Sequence, residues 1–153
     1  MFFPVFLDIK NKQCLIIGGG NIALRKINKL IKYECKDITV ISDKTLDDIK
    51  KLADNKKIKI IHNKFEIDRE TLKKYFLVIA ATDDEKINNE ISNLCIKENI
   101  LVNNVSSKEN MNIRFCTSIE NEEYSIAISA DGNPKKALEL KEKIKKYLDK
   151  NIQ

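Results

Sequence analysis

The sequence is poor in the residues that mark several common kinds of functional site. None of its 153 residues is tryptophan, one is histidine, and its four cysteines form no C-x-x-C or Cys/His cluster. Zinc sites need such clusters, so we expect no metal site and reduced thiols. No apolar run approaches the roughly 20 residues of a membrane span. The N-terminal MFFPVFLDIK lacks the features of a secretion signal, which favours a cytoplasmic protein that does not bind a membrane.

Strongly one-sided charge is also missing. The chain has 28 Lys and Arg residues against 23 Asp and Glu residues, a formal net charge of +5. It contains no arginine-rich block and no basic segment interleaved with aromatic residues, so we expect no nucleic-acid partner. A mild positive excess is compatible with a polyanionic small molecule.

Short apolar runs alternate with amphipathic helical patterns through most of the chain. We expect strands at 14–17, 38–41, 58–61, 76–81 and 100–105. Such an alternation predicts an α/β fold with a Rossmann-type, doubly wound parallel sheet of about five strands. Two finer expectations are a short N-terminal strand, from the alternation of Phe3, Val5 and Leu7, and a capping box of Thr82 and Glu85.

The pattern changes after Val105. A polar loop at 106–112 precedes two short strands at 115–119 and 124–129, hence a β-hairpin, and a Lys-rich helix at about 135–150. We therefore divide the chain into a nucleotide-binding domain at 1–113 and a hairpin-plus-helix region at 114–153. The helix keeps only a narrow apolar stripe, which either covers the hairpin or meets a second chain. We expect this region to build a homodimer, since a two-fold partner is the commonest cover for such a surface.

Three glycines follow the first predicted strand, in CLIIGGGNIALRKINKL. Gly18, Gly20 and Ala23 match the dinucleotide fingerprint G-x-G-x-x-G/A, in which the first glycine permits a tight turn and the second lets the backbone approach a pyrophosphate. The N–H groups at the helix start, around Asn21 and Ile22, favour an anionic phosphate. The stretch predicts an NAD site, and the alternative is a simple strand-to-helix turn.

Asp43 follows the second predicted strand, 23 residues beyond Gly20, where an acid that binds the ribose is expected. A carboxylate there favours NAD over NADP, while the neighbouring Lys44 offers a cation that tolerates a 2′-phosphate. The alternative for Asp43 is a solvated turn residue. Thr82, at the end of the fourth predicted strand, completes the candidate cofactor site.

Four segments of the chain, in order, resemble a known family. FPVFLDIKNKQCLIIGGGNIALRK, FLVIAATDDEKINNEI, ILVNNV and YSIAISADGNP are similar to the precorrin-2 dehydrogenase family, the dehydrogenase and ferrochelatase part of siroheme synthases. The resemblance runs from about Phe3 to Ile144. It implies NAD-dependent oxidation of precorrin-2, a tetrapyrrole, to sirohydrochlorin in a homodimer joined by the hairpin and the following helix. Some members of the family also insert ferrous iron.

Two arginines are candidate ligands for the carboxylates of such a substrate. Arg25 belongs to an R-K pair that matches the family, although cations on a helix face are usually solvated. Arg114 lies between the polar loop and the hairpin, where its guanidinium can act as a bidentate donor.

The sequence departs from the family at the position expected to transfer a proton. The family usually has an aspartate after the fifth strand, and Ser106 stands there in this chain. A carboxylate accepts a proton near neutral pH, whereas an unassisted serine hydroxyl does not. Ser106 is our candidate catalytic residue, positioning the substrate or a water, and the alternative is a plain loop residue. Helix capping already explains acids at Asp83 and Asp84.

A second departure is length, since family members commonly carry a further helical segment where this sequence ends at Gln153. An open site, a wall supplied by a partner and lost activity are all compatible with it. Slow dehydrogenation with weak or absent iron insertion is the leading hypothesis. The alternative is a catalytically silent dimer that binds NAD or a tetrapyrrole. A regulatory Rossmann module of the potassium-channel type would not explain FPVFLDI or the hairpin.

Overall fold

The computed structural model describes residues 2–66 and 68–151. The chain divides into two compact units, with the boundary between Ile113 and Arg114. The first unit contains β1 (Gln13–Ile17), α1 (Asn21–Lys32), β2 (Asp37–Ile41), α2 (Asp47–Asp54), β3 (Lys59–Ile61), α3 (Arg69–Leu72), β4 (Leu77–Ala80), α4 (Glu85–Lys97) and β5 (Leu101–Asn104). The second contains β6 (Thr117–Glu120), β7 (Ser125–Ile128) and α5 (Pro134–Asn151).

The first unit is built on a parallel five-stranded sheet with the strand order β3-β2-β1-β4-β5. The central strands β1 and β4 are apolar on both faces, as expected where helices cover both sides of a sheet. Leu15 and Val78 pack with Ile91 of α4, while α1 contributes the buried Ala23 and Ile27. The predicted Rossmann-type fold is confirmed.

The second unit is an antiparallel hairpin with a helix that contacts it, as the sequence predicts. The Asn121 side-chain oxygen accepts hydrogen bonds from the N–H groups of Glu123 and Tyr124, which closes the turn between β6 and β7. Pro134 occupies the first position of α5, where its missing N–H costs nothing. In the two ranges that the structure describes, every helix is too short or too polar to cross a bilayer.

The predicted N-terminal strand is wrong. Residues 2–9 form no strand, and the side chains of Phe3 and Val5 are 84% and 56% exposed. The segment leads directly into β1, the central strand, whose two neighbours are already β2 and β4. The free edges of the sheet belong to β3 and β5, and the segment pairs with neither. An alternating pattern predicts that one face of a segment is apolar, but it does not provide a neighbouring strand.

The predicted capping box at Thr82 is also wrong. Helix α4 begins at Glu85, and its cap is Asp84, whose Oδ1 accepts hydrogen bonds from the N–H groups of Lys86 and Ile87 at 2.8 and 3.3 Å. The Thr82 hydroxyl instead joins a buried side chain of α4 and accepts from the N–H of Asp84. A carboxylate has more acceptor sites than a hydroxyl, and it holds the helix start two residues later.

Candidate functional site

The residues predicted to hold the cofactor lie at one edge of the parallel sheet. The glycines follow β1, Asp43 and Lys44 follow β2, and Thr82 follows β4. Ser106 comes two residues after the end of β5. Ligands of open α/β sheets bind at the carboxyl ends of the strands, so the fold gathers these residues where a ligand is expected.

Gly18 and Gly19 are required by the close approach of neighbouring segments. Gly18 has φ +119°, a conformation that favours glycine, and a Cβ there would overlap the carbonyl oxygen of Ala81. A Cβ on Gly19 would overlap the carbonyl oxygen of Lys44. The fingerprint assigns no role to Gly19, so sequence reasoning missed it, and three consecutive glycines were the available signal.

Gly20 differs because the protein's own packing does not require it. A Cβ at Gly20 would meet no atom within 4 Å. Gly20 is the N-cap of α1, without a side-chain cap, and the first turn of α1 carries no acid. The N–H groups of Asn21 and Ile22 lie in the first turn, where a helix supplies no acceptor. Open space over uncapped N–H groups fits a pyrophosphate.

Asp43 and Lys44 occupy a fixed turn after β2. The Ser42 hydroxyl donates to the carbonyl oxygen of Lys44 at 2.6 Å and accepts from the Lys44 N–H at 3.3 Å. Both the Asp43 and the Lys44 side chains are exposed. A carboxylate at this place is accessible to ribose hydroxyls, and its role in binding ribose stays a prediction.

A buried amide links the ends of β4 and β5. Asn88 of α4 has no exposed surface. Its Oδ1 accepts from the N–H of Thr82 at 3.0 Å and from the Thr82 hydroxyl at 2.8 Å. Its Nδ2 donates to the carbonyl oxygen of Thr82 at 3.0 Å and to Oγ of Ser106 at 2.7 Å. Sequence reasoning missed Asn88, since nothing in a helical pattern distinguishes an inward asparagine from a solvated one.

Ser106 is exposed, yet its position is fixed. Its N–H donates to Oδ1 of Asn104 at 2.9 Å, and Nδ2 of Asn104 donates to Oδ1 of Asn89 at 2.9 Å. The following loop is tied to α4, since the Ser92 hydroxyl donates to the carbonyl oxygen of Asn110 at 2.7 Å. Ser106 therefore presents its hydroxyl from an ordered backbone at the carboxyl edge.

The two candidate substrate arginines have different surroundings. Arg25 lies exposed on α1, beside the half-buried Lys26, and burial together with Lys29 and Arg25 lowers the pKa of Lys26 to about 8. Arg114 lies in the second unit, where its Nη1 is 3.2 Å from Oδ1 of Asp131. Binding of a substrate carboxylate by either arginine stays a prediction.

Comparisons with known proteins place this site in a family. Residues 5–117 match a family of proteins described as putative NAD(P)-binding. The chain belongs to this family. Its predicted use of an NAD-type cofactor and its resemblance to precorrin-2 dehydrogenases and siroheme synthases are confirmed.

Individual relatives support the assignment. The siroheme synthase of Pseudoalteromonas translucida is 34% identical over 152 residues, 99% of this chain and 32% of that protein. The siroheme synthase of Ruthia magnifica is 36% identical over 131 residues, 86% of this chain and 27% of that protein. The solved structure of SirC, a precorrin-2 dehydrogenase, matches with a TM-score of 0.80 and 27% identity over 95% of this chain and 71% of SirC. The chain spans about a third of the length of these siroheme synthases.

Proposed function

We propose that this chain binds NAD at the loop Gly18–Ile22 and oxidises precorrin-2 to sirohydrochlorin in siroheme biosynthesis, as a slow enzyme. The observation that carries the proposal is a continuous path along the carboxyl edge. Gly18 lies against Ala81, Thr82 follows it in the chain, and Asn88 joins Thr82 to Ser106. The cofactor loop and Ser106, the candidate substrate-binding residue, are thus connected along one edge of the sheet.

The chain's own residues divide the work of binding NAD. The N–H groups of Asn21 and Ile22 hold the pyrophosphate, and Asp43 accepts hydrogen bonds from the ribose hydroxyls. The carboxylate also repels a 2′-phosphate, so NAD is preferred to NADP. When bound, NAD supplies the hydride acceptor for the oxidation.

Dehydrogenation removes a hydride and a proton from the substrate, and the proton needs an acceptor. Ser106 is not a base near neutral pH, so it positions the substrate while water takes the proton. General acid–base assistance is worth roughly 10²- to 10⁴-fold, so turnover is slow and iron insertion is weak or absent. Arg25 and Arg114 are proposed to pair with substrate carboxylates.

A second candidate function follows from the same position. Because Ser106 replaces the carboxylate, a catalytically silent dimer that binds NAD or a tetrapyrrole is the alternative. The two functions are distinguished by whether the chain turns over precorrin-2.

The decisive experiment incubates the protein with NAD and freshly made precorrin-2 and follows the absorbance of NADH and sirohydrochlorin together. We expect both to appear slowly, and faster with NAD than with NADP. Bound NAD without turnover supports the silent dimer. A folded protein that binds neither NAD nor a tetrapyrrole contradicts both candidates.

We also propose that the second unit joins two copies of the chain. On α5 the side chains of Leu138, Leu140 and Tyr147 are 53%, 44% and 65% exposed. Sedimentation should give a dimer at micromolar concentration, and Leu140→Glu should shift it towards monomer. Glu142→Lys, which alters an exposed charge on the same helix, is the control. A stable wild-type monomer contradicts the proposal.

A further inference from the structure

We propose that Asn88 is a positioning residue that fixes Ser106 as a hydrogen-bond donor to a carboxylate of the substrate. The inference rests on the proposed function and deepens it. It assigns Ser106 to substrate binding and excludes it as a proton acceptor. It also gives a role to a side chain that has no exposed surface.

The direction of the hydrogen bond between Asn88 and Ser106 follows from two backbone partners. The N–H of Thr82 is a donor only, so the Asn88 atom facing it is the amide oxygen. The carbonyl of Thr82 is an acceptor only, so the atom facing it is the amide nitrogen. The same nitrogen lies 2.7 Å from Oγ of Ser106, which must therefore accept.

A hydroxyl that accepts from Asn88 directs its own proton elsewhere. Within the described ranges, 2–66 and 68–151, the Ser106 hydroxyl donates to no carbonyl or side chain, and Ser106 is exposed to solvent. The hydrogen bond from its N–H to Asn104 prevents the backbone from turning the side chain away. Ser106 thus offers a single oriented O–H at the carboxyl edge of the sheet.

An oriented, neutral donor suits an anionic acceptor without adding charge to the site. Precorrin-2 carries several carboxylates. Removal of one protein hydroxyl that donates to a charged acceptor weakens the affinity for the substrate roughly tenfold to 100-fold. Because a peripheral carboxylate is bound equally in the ground state and the transition state, the loss raises KM and leaves kcat unchanged.

The test uses Asn88→Asp, which keeps the shape and an acceptor for the Thr82 N–H but removes the donor to Ser106 and to the Thr82 carbonyl. The carboxylate then accepts from Ser106, and the hydroxyl proton turns inward. We expect KM for precorrin-2 to rise roughly tenfold, with kcat unchanged. Asn88→Asp should add nothing in a Ser106→Ala background, because both changes remove the same donor.

Asn89→Asp is the matched control on the next position of α4. The Asn89 side-chain oxygen accepts from Nδ2 of Asn104 at 2.9 Å and from Nδ2 of Asn110 at 3.2 Å, and an aspartate keeps both bonds. It introduces the same charge without changing Ser106. We expect its KM to match the wild type.

A direct pair of variants keeps the test decisive if Asn88→Asp does not fold. Ser106→Ala should raise KM roughly tenfold, and Ser106→Thr, which retains a hydroxyl, should restore it. Equal KM in Ser106→Ala and the wild type, or additive effects of Asn88→Asp and Ser106→Ala, overturn the inference while the proposed function stands. A wild type that binds NAD but neither oxidises precorrin-2 nor binds sirohydrochlorin overturns both.

Discussion

Two helices of this chain begin side by side at the carboxyl edge of the sheet, and their first turns have opposite character. Helix α1 follows β1, and α4 follows its neighbour β4. Helix α1 starts at Gly20, with no side-chain cap and no acid in its first turn. Helix α4 starts at Asp84, whose carboxylate accepts two backbone N–H groups, and Glu85 follows it.

Both helix starts have the same orphan N–H groups and the same positive dipole end. In α4 the Asp84 carboxylate accepts two of these N–H groups, so a ligand would have to displace the chain's own cap. In α1 no side chain caps them, and we propose that they bind the pyrophosphate of NAD. We propose that this difference makes the start of α1, and not that of α4, the nucleotide site, and the variants below exchange or remove it.

The largest expected effect comes from filling the space above α1. Gly20→Val should leave the fold intact, since a Cβ there meets no atom within 4 Å, but should block the approach of the pyrophosphate. Loss of about two hydrogen bonds to a charged group predicts a roughly 10²- to 10⁴-fold weaker affinity for NAD. Calorimetric titration with NAD measures it.

Gly20→Asp sharpens the same comparison by giving α1 the cap that α4 has. It should raise the melting temperature and abolish NAD binding together. Gly18→Ala is the contrasting variant, because φ +119° and contact with Ala81 should make it unfold. Unchanged NAD affinity in a folded Gly20→Val protein would falsify the assignment of this loop.

The next effect concerns Ser106, which follows β5, bonds to Asn88 of α4 and stands where the family has a carboxylate. Ser106→Asp should raise kcat for dehydrogenation by roughly 10²-fold, because Nδ2 of Asn88 donates to the new carboxylate and favours its charged form, which accepts a proton. It should also raise KM for precorrin-2, because a carboxylate cannot donate to a carboxylate of the substrate. The rate of sirohydrochlorin formation, followed by its absorbance, measures this change, and Ser107→Asp is the control.

Fast turnover by the wild type would mean that another group accepts the proton. Asp83 is then the first residue to test, since Asp84 and not Asp83 caps α4, and Asp83 is exposed. In that outcome Asp83→Asn should slow the reaction, and Ser106→Asp should change little.

A smaller effect comes from removing the cap of α4. Asp84→Ala should cost about 1 kcal/mol of stability, the usual value of an N-cap, without changing NAD affinity at α1. Asp84→Asn, which keeps a capping oxygen, should stay close to the wild type in urea unfolding. A large loss of NAD affinity in Asp84→Ala would mean that the two helix starts do not act separately.

Features that depend on local hydrophobic periodicity were predicted from the sequence. Features that depend on contacts with another part of the chain were not. Buried strands such as β1 and β4 are readable because residues 14–17 of β1 and all of β4 are apolar. Phe3 and Val5 have a strand pattern, but their segment leads into β1, which already pairs with β2 and β4. Thr82 has a cap pattern, but its hydroxyl bonds to Asn88. The role of Asn88 arises only where the ends of two strands meet, which a local pattern does not record.

The smallest effect concerns the positive charge of α1 itself. Burial and the neighbouring cations lower the pKa of Lys26 to about 8 from its ordinary 10.5. Between these two values the unfolded chain binds a proton that the native chain does not, so this group makes stability rise with pH across that window. Below about pH 8 both states are protonated, and the native state bears the full cost of burying the charge.

Lys26→Met should therefore raise the melting temperature at pH 7 and flatten the dependence of stability on pH between 8 and 10.5. Lys86→Met, at an exposed position in the first turn of α4, should do neither. Thermal unfolding across this pH range measures both variants. If the dependence of stability on pH were the same in Lys26→Met as in the wild type, Lys26 would not have a lowered pKa. Burial of its charge on α1 would then not reduce the stability of the native state.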